Sequence, residues 1–178
     1  MTPEDIIDRV KARFDVLYFD DSDKLETLMA DTMGTFEDRA GAVRSFPIAA
    51  GVTTAAVPAD FLAVATVYGA DGAFVDHSLG TGYITISGSP RYPVTVQYLV
   101  NFREMGMTAD LPAESIGLIA AHFEAKLAVQ NARRERNVAL AAGLQREITP
   151  DESLLARVDA VELAMEENAS IIPIAMVV

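Results

Sequence analysis

The sequence predicts an α+β protein: a four-helix bundle carrying an inserted antiparallel β module and an extended C-terminal tail. Three observations carry that prediction. Apolar residues recur at helical spacing towards both ends of the 178-residue chain, they alternate through its middle, and the last nine residues are apolar and β-branched. The length suits one domain with an inserted module better than two independent cores. On this reading residues 1–42 and 111–169 form the bundle, 43–110 the β module and 170–178 the tail.

The first helix is announced by Thr2 as a capping hydroxyl, Pro3 at the first helical position and Asp5 facing the positive end of the dipole. It is expected over about 3–15, with Ile6, Ile7, Val10 and Phe14 inward. The acidic turn Asp20, Asp21, Ser22 and Asp23 starts a second helix, which turns Leu25, Leu28, Met29, Met33 and Phe36 to the core and ends near Gly41. From Val43 to about Phe102 the period becomes two. Residues 61–68 read as a strand, Gly69, Ala70, Asp71 and Gly72 as a hairpin turn, and 73–77 as the returning strand. Residues 83–87 and 94–99 form a second expected pair across Gly88, Ser89 and Pro90. Val94, Val96 and Tyr98 alternate with Thr95, Gln97 and Leu99, as in a sheet with one buried face.

A connector over 101–110 leads to Leu111 and Pro112, which introduce a long helix reaching about Gly143. Ile116, Ile119, Ala120, Phe123 and Leu127 lie along one side of it. Thr149, Pro150, Asp151 and Glu152 have the pattern of a capping box with proline first. The fourth helix that follows is expected to turn Leu154, Leu155, Val158, Val161 and Met165 inward. With one apolar stripe on each, the four helices would cover one another, and the β module would project from them.

Composition narrows the function classes. A hydrophobic fraction of 51% with 22% charged residues is that of a globular chain rather than a disordered one. The absence of cysteine removes disulfide frameworks and thiolate metal sites. No basic region and apolar stretch stand at the N-terminus, and no window approaches the ~20 apolar residues of a membrane span. A soluble intracellular product is therefore expected. The net charge is −12, with −6 in residues 1–40 and −5 in residues 151–178. Gripping nucleic acid needs Lys and Arg against phosphate, so ordinary DNA or RNA binding is disfavoured. An acidic wall would instead let a duplex slide past.

The side chains that could carry chemistry do not assemble into a motif. His77 and His122 lack the spacing of a metal site; the first suits a solvated strand end, the second a partly buried helical position. Gly80, Thr81 and Gly82 are followed by no lysine and read as a turn, and no serine sits in a nucleophile elbow. Asp20, Asp21 and Asp23 lack the glycine and distal glutamate of a calcium loop and suit helix capping. No catalytic, cofactor or metal residue is assigned. Two features have more to offer. Arg133, Arg134 and Arg136 either form a solvated helix face paired with nearby acids or contact an acidic patch on a neighbouring subunit. Ser170, Ile171, Ile172, Pro173, Ile174, Ala175, Met176, Val177 and Val178 either pack on their own domain or add as a strand or plug to a partner, because exposed β-branched ends invite pairing.

The order and texture of the chain resemble the head-to-tail adaptor, or connector, proteins of tailed bacteriophages, particularly short-tailed ones. The stretch that carries the likeness is Val57-Pro58-Ala59-Asp60-Phe61-Leu62, leading through 64–68, the turn Ala70-Asp71-Gly72, Gly82-Tyr83-Ile84-Thr85-Ile86 and 94–100, with the alanine- and arginine-rich 121–145 after it. The resemblance implies a structural virion protein at the head–tail junction, made in the host cytoplasm and arranged as a dodecameric ring that extends the portal channel. It implies that Ser170–Val178 grips the portal protein, that other surfaces meet the tail nozzle and tail fibres, and that DNA passes without specific binding. No catalytic residue is carried over, and no membrane is involved. The alternatives are a small protein-binding or regulatory module and an enzyme of unrecognised type. An enzyme would show a deep pocket with convergent polar groups.

Overall fold

The computed structural model describes residues 1–144 and 149–169. In chain order its elements are α1 (Pro3–Lys11), α2 (Ser22–Arg39), β1 (Val43–Ile48), β2 (Thr54–Ala56), β3 (Phe61–Tyr68), β4 (His77–Gly80), β5 (Tyr83–Ile86), β6 (Val94–Val100), α3 (Ile116–Ala141) and α4 (Asp151–Glu167). The fold is α+β, with four helices and two three-stranded antiparallel sheets among the described residues. It divides into two packed units: a helical one, Met1–Ala40 with Met105–Ala169, and a β unit, Gly41–Glu104.

In the helical unit Thr2 caps α1 reciprocally. Its hydroxyl accepts from the Asp5 N–H at 3.1 Å, and the Asp5 carboxylate accepts from the Thr2 N–H at 2.9 Å. The helix stops at Lys11, short of the expected residue 15, because Arg13 and Phe14 turn their N–H groups back onto the carbonyls three residues earlier. Asp21 caps α2, whose Leu25, Met29, Met33 and Phe36 are buried. Around α3 pack α1, α2 and α4. The single stripe expected of that helix is therefore too narrow. Ile119, Phe123 and Leu127 are buried, but so are His122, Ala125, Val129, Asn131 and Ala132, which lie on other sides. Frequent alanine lets several helices approach α3 closely.

Two expectations for α4 need correction. Thr149 makes no capping box: Pro150 is the N-cap residue, no side chain caps the helix, and the Ser153 hydroxyl donates to the Pro150 carbonyl at 2.9 Å. Of the five residues expected inward, Met165 is buried, Leu154, Val158 and Val161 are half-buried, and Leu155 is 44% exposed. Adjacent residues on a helix point about 100° apart, and on α4 Leu154 lies on the side of Val158, Val161 and Met165 while Leu155 turns out beside exposed Asp159.

In the β unit one sheet has the order β1-β6-β3 and the other β2-β5-β4. Central β6 buries Val94, Val96, Tyr98 and Val100 on one face, as its alternation predicts. Ile48, Val67, Ile84, Ile86, Val94 and Val96 form one core drawn from both sheets. The expected pairings differ from those formed. The turn after β3 is present, but the returning 73–77 segment makes only one bridge, Tyr68 with Phe74, and then Val75 enters the core. The chain passes on to β4, which pairs with β5 through the Gly80–Thr81–Gly82 turn, where Gly82 takes φ 79°. The β5–β6 pair across Gly88 does not form either: β6 lies between β1 and β3. Both edges of β5 are taken, one by β4 across a two-residue turn of low closure entropy and the other by β2.

Candidate functional site

The basic cluster lies in the second half of α3, where it faces the start of α4. Asp151, the first residue of α4, accepts from Arg136 Nη2 at 2.9 Å and Arg133 Nε at 3.4 Å. The Arg136 hydrogen bond, reinforced by both positive charges, outweighs some desolvation and holds the Asp151 carboxyl below its ordinary range. The acidic C-terminal segment thus supplies a partner within the same chain. Arg134 is exposed and makes no ion pair among the described residues. It lines an open recess of about 380 Å³ with Lys24, Arg133, Asp20, Asp21 and Tyr18.

One wall of that recess is fixed by Asn131, which the sequence did not single out. The residue is 8% exposed; its Oδ1 accepts from the N–H groups of Tyr18 at 2.6 Å and Phe19 at 3.2 Å, and its Nδ2 donates to the Val16 carbonyl at 3.1 Å. Those three bonds satisfy the backbone of the loop between α1 and α2. An asparagine in an alanine-rich helix carries no local sign of partners more than a hundred residues away. Asp20 pairs with Lys11 at 2.6 Å and Asp21 with Lys24 at 3.0 Å, so these acids serve helix capping and ion pairs.

A second recess, of about 280 Å³, opens between α1, α3 and α4. Ile116, Gly117 and Ala120 line it together with Arg9, Arg13, Arg157 and Glu124. Glu124 accepts from Arg13 and, at 2.8 Å, from Arg157. Partial burial pushes its carboxyl up, but the two guanidinium groups outweigh that and hold it below the ordinary carboxylate value.

His122 is fully buried rather than partly so, at 0% exposure. Its Nε2 lies 3.1 Å from Glu162 Oε1, and Nδ1 has no partner. Glu162 also pairs with Arg39 at 2.6 Å, and Arg39 reaches Glu166 as well, so the contact ties α2, α3 and α4 together. Burial outweighs the Glu162 hydrogen bond and lowers the imidazole's pKa below its ordinary 6.5. His77 is exposed at the start of β4, with Nδ1 3.2 Å from the Val75 carbonyl oxygen. Among the described residues no group of three or more His, Asp or Glu side chains is placed to hold a metal, and no helix is long and apolar enough to cross a membrane. The tail Ser170–Val178 lies outside the described residues.

No family model and no curated protein matches this chain.

Proposed function

We propose that this chain is a structural adaptor of a tailed, short-tailed bacteriophage, assembled as a dodecameric ring between portal and tail and extending the DNA channel. The observation that carries the reading is the chain order. A helical unit is interrupted between residues 40 and 105 by a unit of six short strands and then resumes towards the apolar tail, the order of the adaptors that the sequence resembles. In this reading the four helices make one bundle, the β unit is its insertion, and the chain acts by assembly without a cofactor or a catalytic step.

Charge supports the same reading. The net charge is −12, and Arg13, Arg39, Arg133, Arg136 and Arg157 are all paired with carboxylates of the helical unit. Few cations are left for phosphates, so a duplex would pass along an acidic wall without being held. The portal contact belongs to Ser170–Val178, whose Ile and Val residues favour an extended segment covered by an acceptor, with Pro173 at an unpaired position. Tail nozzle and fibre proteins would meet the other exposed surfaces.

The test compares the full chain with one lacking residues 170–178, each run with the portal protein of the same phage on size-exclusion chromatography with light scattering. The full chain is expected to co-elute with the portal. The truncated chain should keep its helicity and unfolding midpoint and lose the complex. A truncated chain that unfolds, or that binds undiminished, contradicts the assignment.

A further inference from the structure

The outward side of α4 carries a surface that the other described residues leave uncovered. Leu155 is 44% exposed and Leu163 56% exposed, although the same helix buries Met165 completely. At 3.6 residues per turn Leu163 stands about 160° round the helix from Met165, so it points away from the unit's own core. Exposed Ala156 and Ala160 lie beside these leucines, and exposed Glu152 and Asp159 make the stripe acidic. Neither acid has an ion pair among the described residues.

What can cover such a stripe must supply positive charge around an apolar floor. In the recess between α1 and α3 three arginines face one carboxylate, that of Glu124. Arg9 there is exposed and has no ion pair among the described residues. The recess beside Arg134 suits the stripe less, because Asp20 and Asp21 line it too. At about 280 Å³ the α1–α3 recess lies just below the roughly 300–1,000 Å³ of small-molecule pockets, a size that favours inserted side chains over an enclosed ligand. A β-carbon added at Gly117, on its lip, would meet nothing within 4 Å.

We propose that the Leu155–Asp159–Leu163 face of one copy docks on the Arg9–Gly117–Ala120 recess of the next copy of this chain. Two different patches meet, so the contact is heterologous and repeats from copy to copy; closure makes a ring. In a chain of net charge −12, copies repel one another overall, and the rim of arginines is where an acidic face gains instead of losing. The proposal rests on the reading of the chain as a self-assembling ring, and it specifies the surface through which the ring forms.

The experiment measures assembly by light scattering and native mass spectrometry for the full chain and three single variants: Gly117→Gln, Arg9→Glu and Asp159→Arg. Gly117→Gln fills the recess from the first turn of α3, at a position where an added β-carbon meets nothing within 4 Å, so its unfolding midpoint should be nearly unchanged. Each variant should need on the order of a hundredfold more protein to assemble, since like charges or lost insertion at an interface cost several kcal/mol. Mixing Arg9→Glu with Asp159→Arg should restore assembly, because alternating copies bring only opposite charges together. Variants that assemble like the wild type would overturn the docking surface and leave the ring reading standing. A wild-type chain that stays monomeric, alone and with the portal protein, would overturn the ring reading and the surface with it.

Discussion

Truncating Phe123 tests whether α3 is the centre of the helical unit. The ring is completely buried, at 0% exposure, on the helix against which α1, α2 and α4 pack. Phe123→Ala therefore loses the whole transfer term and leaves a cavity that three neighbouring helices cannot all close, a cost of about 3–5 kcal/mol. Leu155 provides the internal contrast, being 44% exposed on α4. Full burial of a leucine is worth ~1.5–3 kcal/mol, and truncation at an open site leaves no cavity, so Leu155→Ala should cost about 1 kcal/mol or less. Urea unfolding of dilute, unassembled chain, followed by the helical circular dichroism signal, measures both, with an unchanged m-value showing that the difference lies in stability. In a thermal scan the Phe123 variant should melt roughly 6–20 °C lower, at ~2–4 °C per kcal/mol for a chain of this length. A near-neutral Phe123→Ala, or a Leu155→Ala as costly as Phe123→Ala, would refute the placement of the core.

Buried His122 makes stability depend on pH. Its folded-state pKa is lowered from 6.5, so below the ordinary value the unfolded chain takes up a proton that the folded chain resists. Stability from this residue is thus complete above 6.5 and falls as the pH drops through it; denaturant midpoints from about pH 7.5 to about pH 5.5 should fall for the wild type and stay flatter for His122→Leu. Glu124 acts lower on the scale: its carboxyl is depressed below 4.5, so its contribution is present above that value and lost as the pH falls further, and Glu124→Gln should remove that acid limb. In the β unit the Tyr98 hydroxyl donates to Asp60 at 2.9 Å, and burial together with that carboxylate pushes the phenol up to about 12. An ultraviolet titration should show a phenol ionising above the ordinary tyrosine range, and Tyr98→Phe should delete that step.

What the sequence made legible was local. The Thr2–Pro3–Asp5 start formed as the residues suggested, and β3 and the alternation of β6 stood where the apolar period put them. What it concealed was non-local. Strand periodicity says which residues face a core but not which strand lies alongside: 73–77 returns beside β3 for a single bridge, whereas β6, expected beside β5, pairs with β1, more than forty residues earlier. The Thr149 box had the right letters, yet Pro150 took the cap position and the threonine side chain caps nothing. His122 looked half-buried because its partner Glu162 is forty residues away on another helix. Among the arginines, adjacency hid a division: Arg133 and Arg136 pair with Asp151, whereas Arg134 lines the open recess without an ion pair among the described residues.

Assembly is central to the proposed function, and the mass of the particle in solution tests it most directly. Native mass spectrometry of the full chain, recorded alone and then with the portal protein proposed as its partner, counts the copies. The expected result is a closed ring of twelve chains, formed alone or on the portal and imaged by negative-stain microscopy as an annulus with a central channel. A chain that remains monomeric in both conditions, or an oligomer without a central opening, would contradict it.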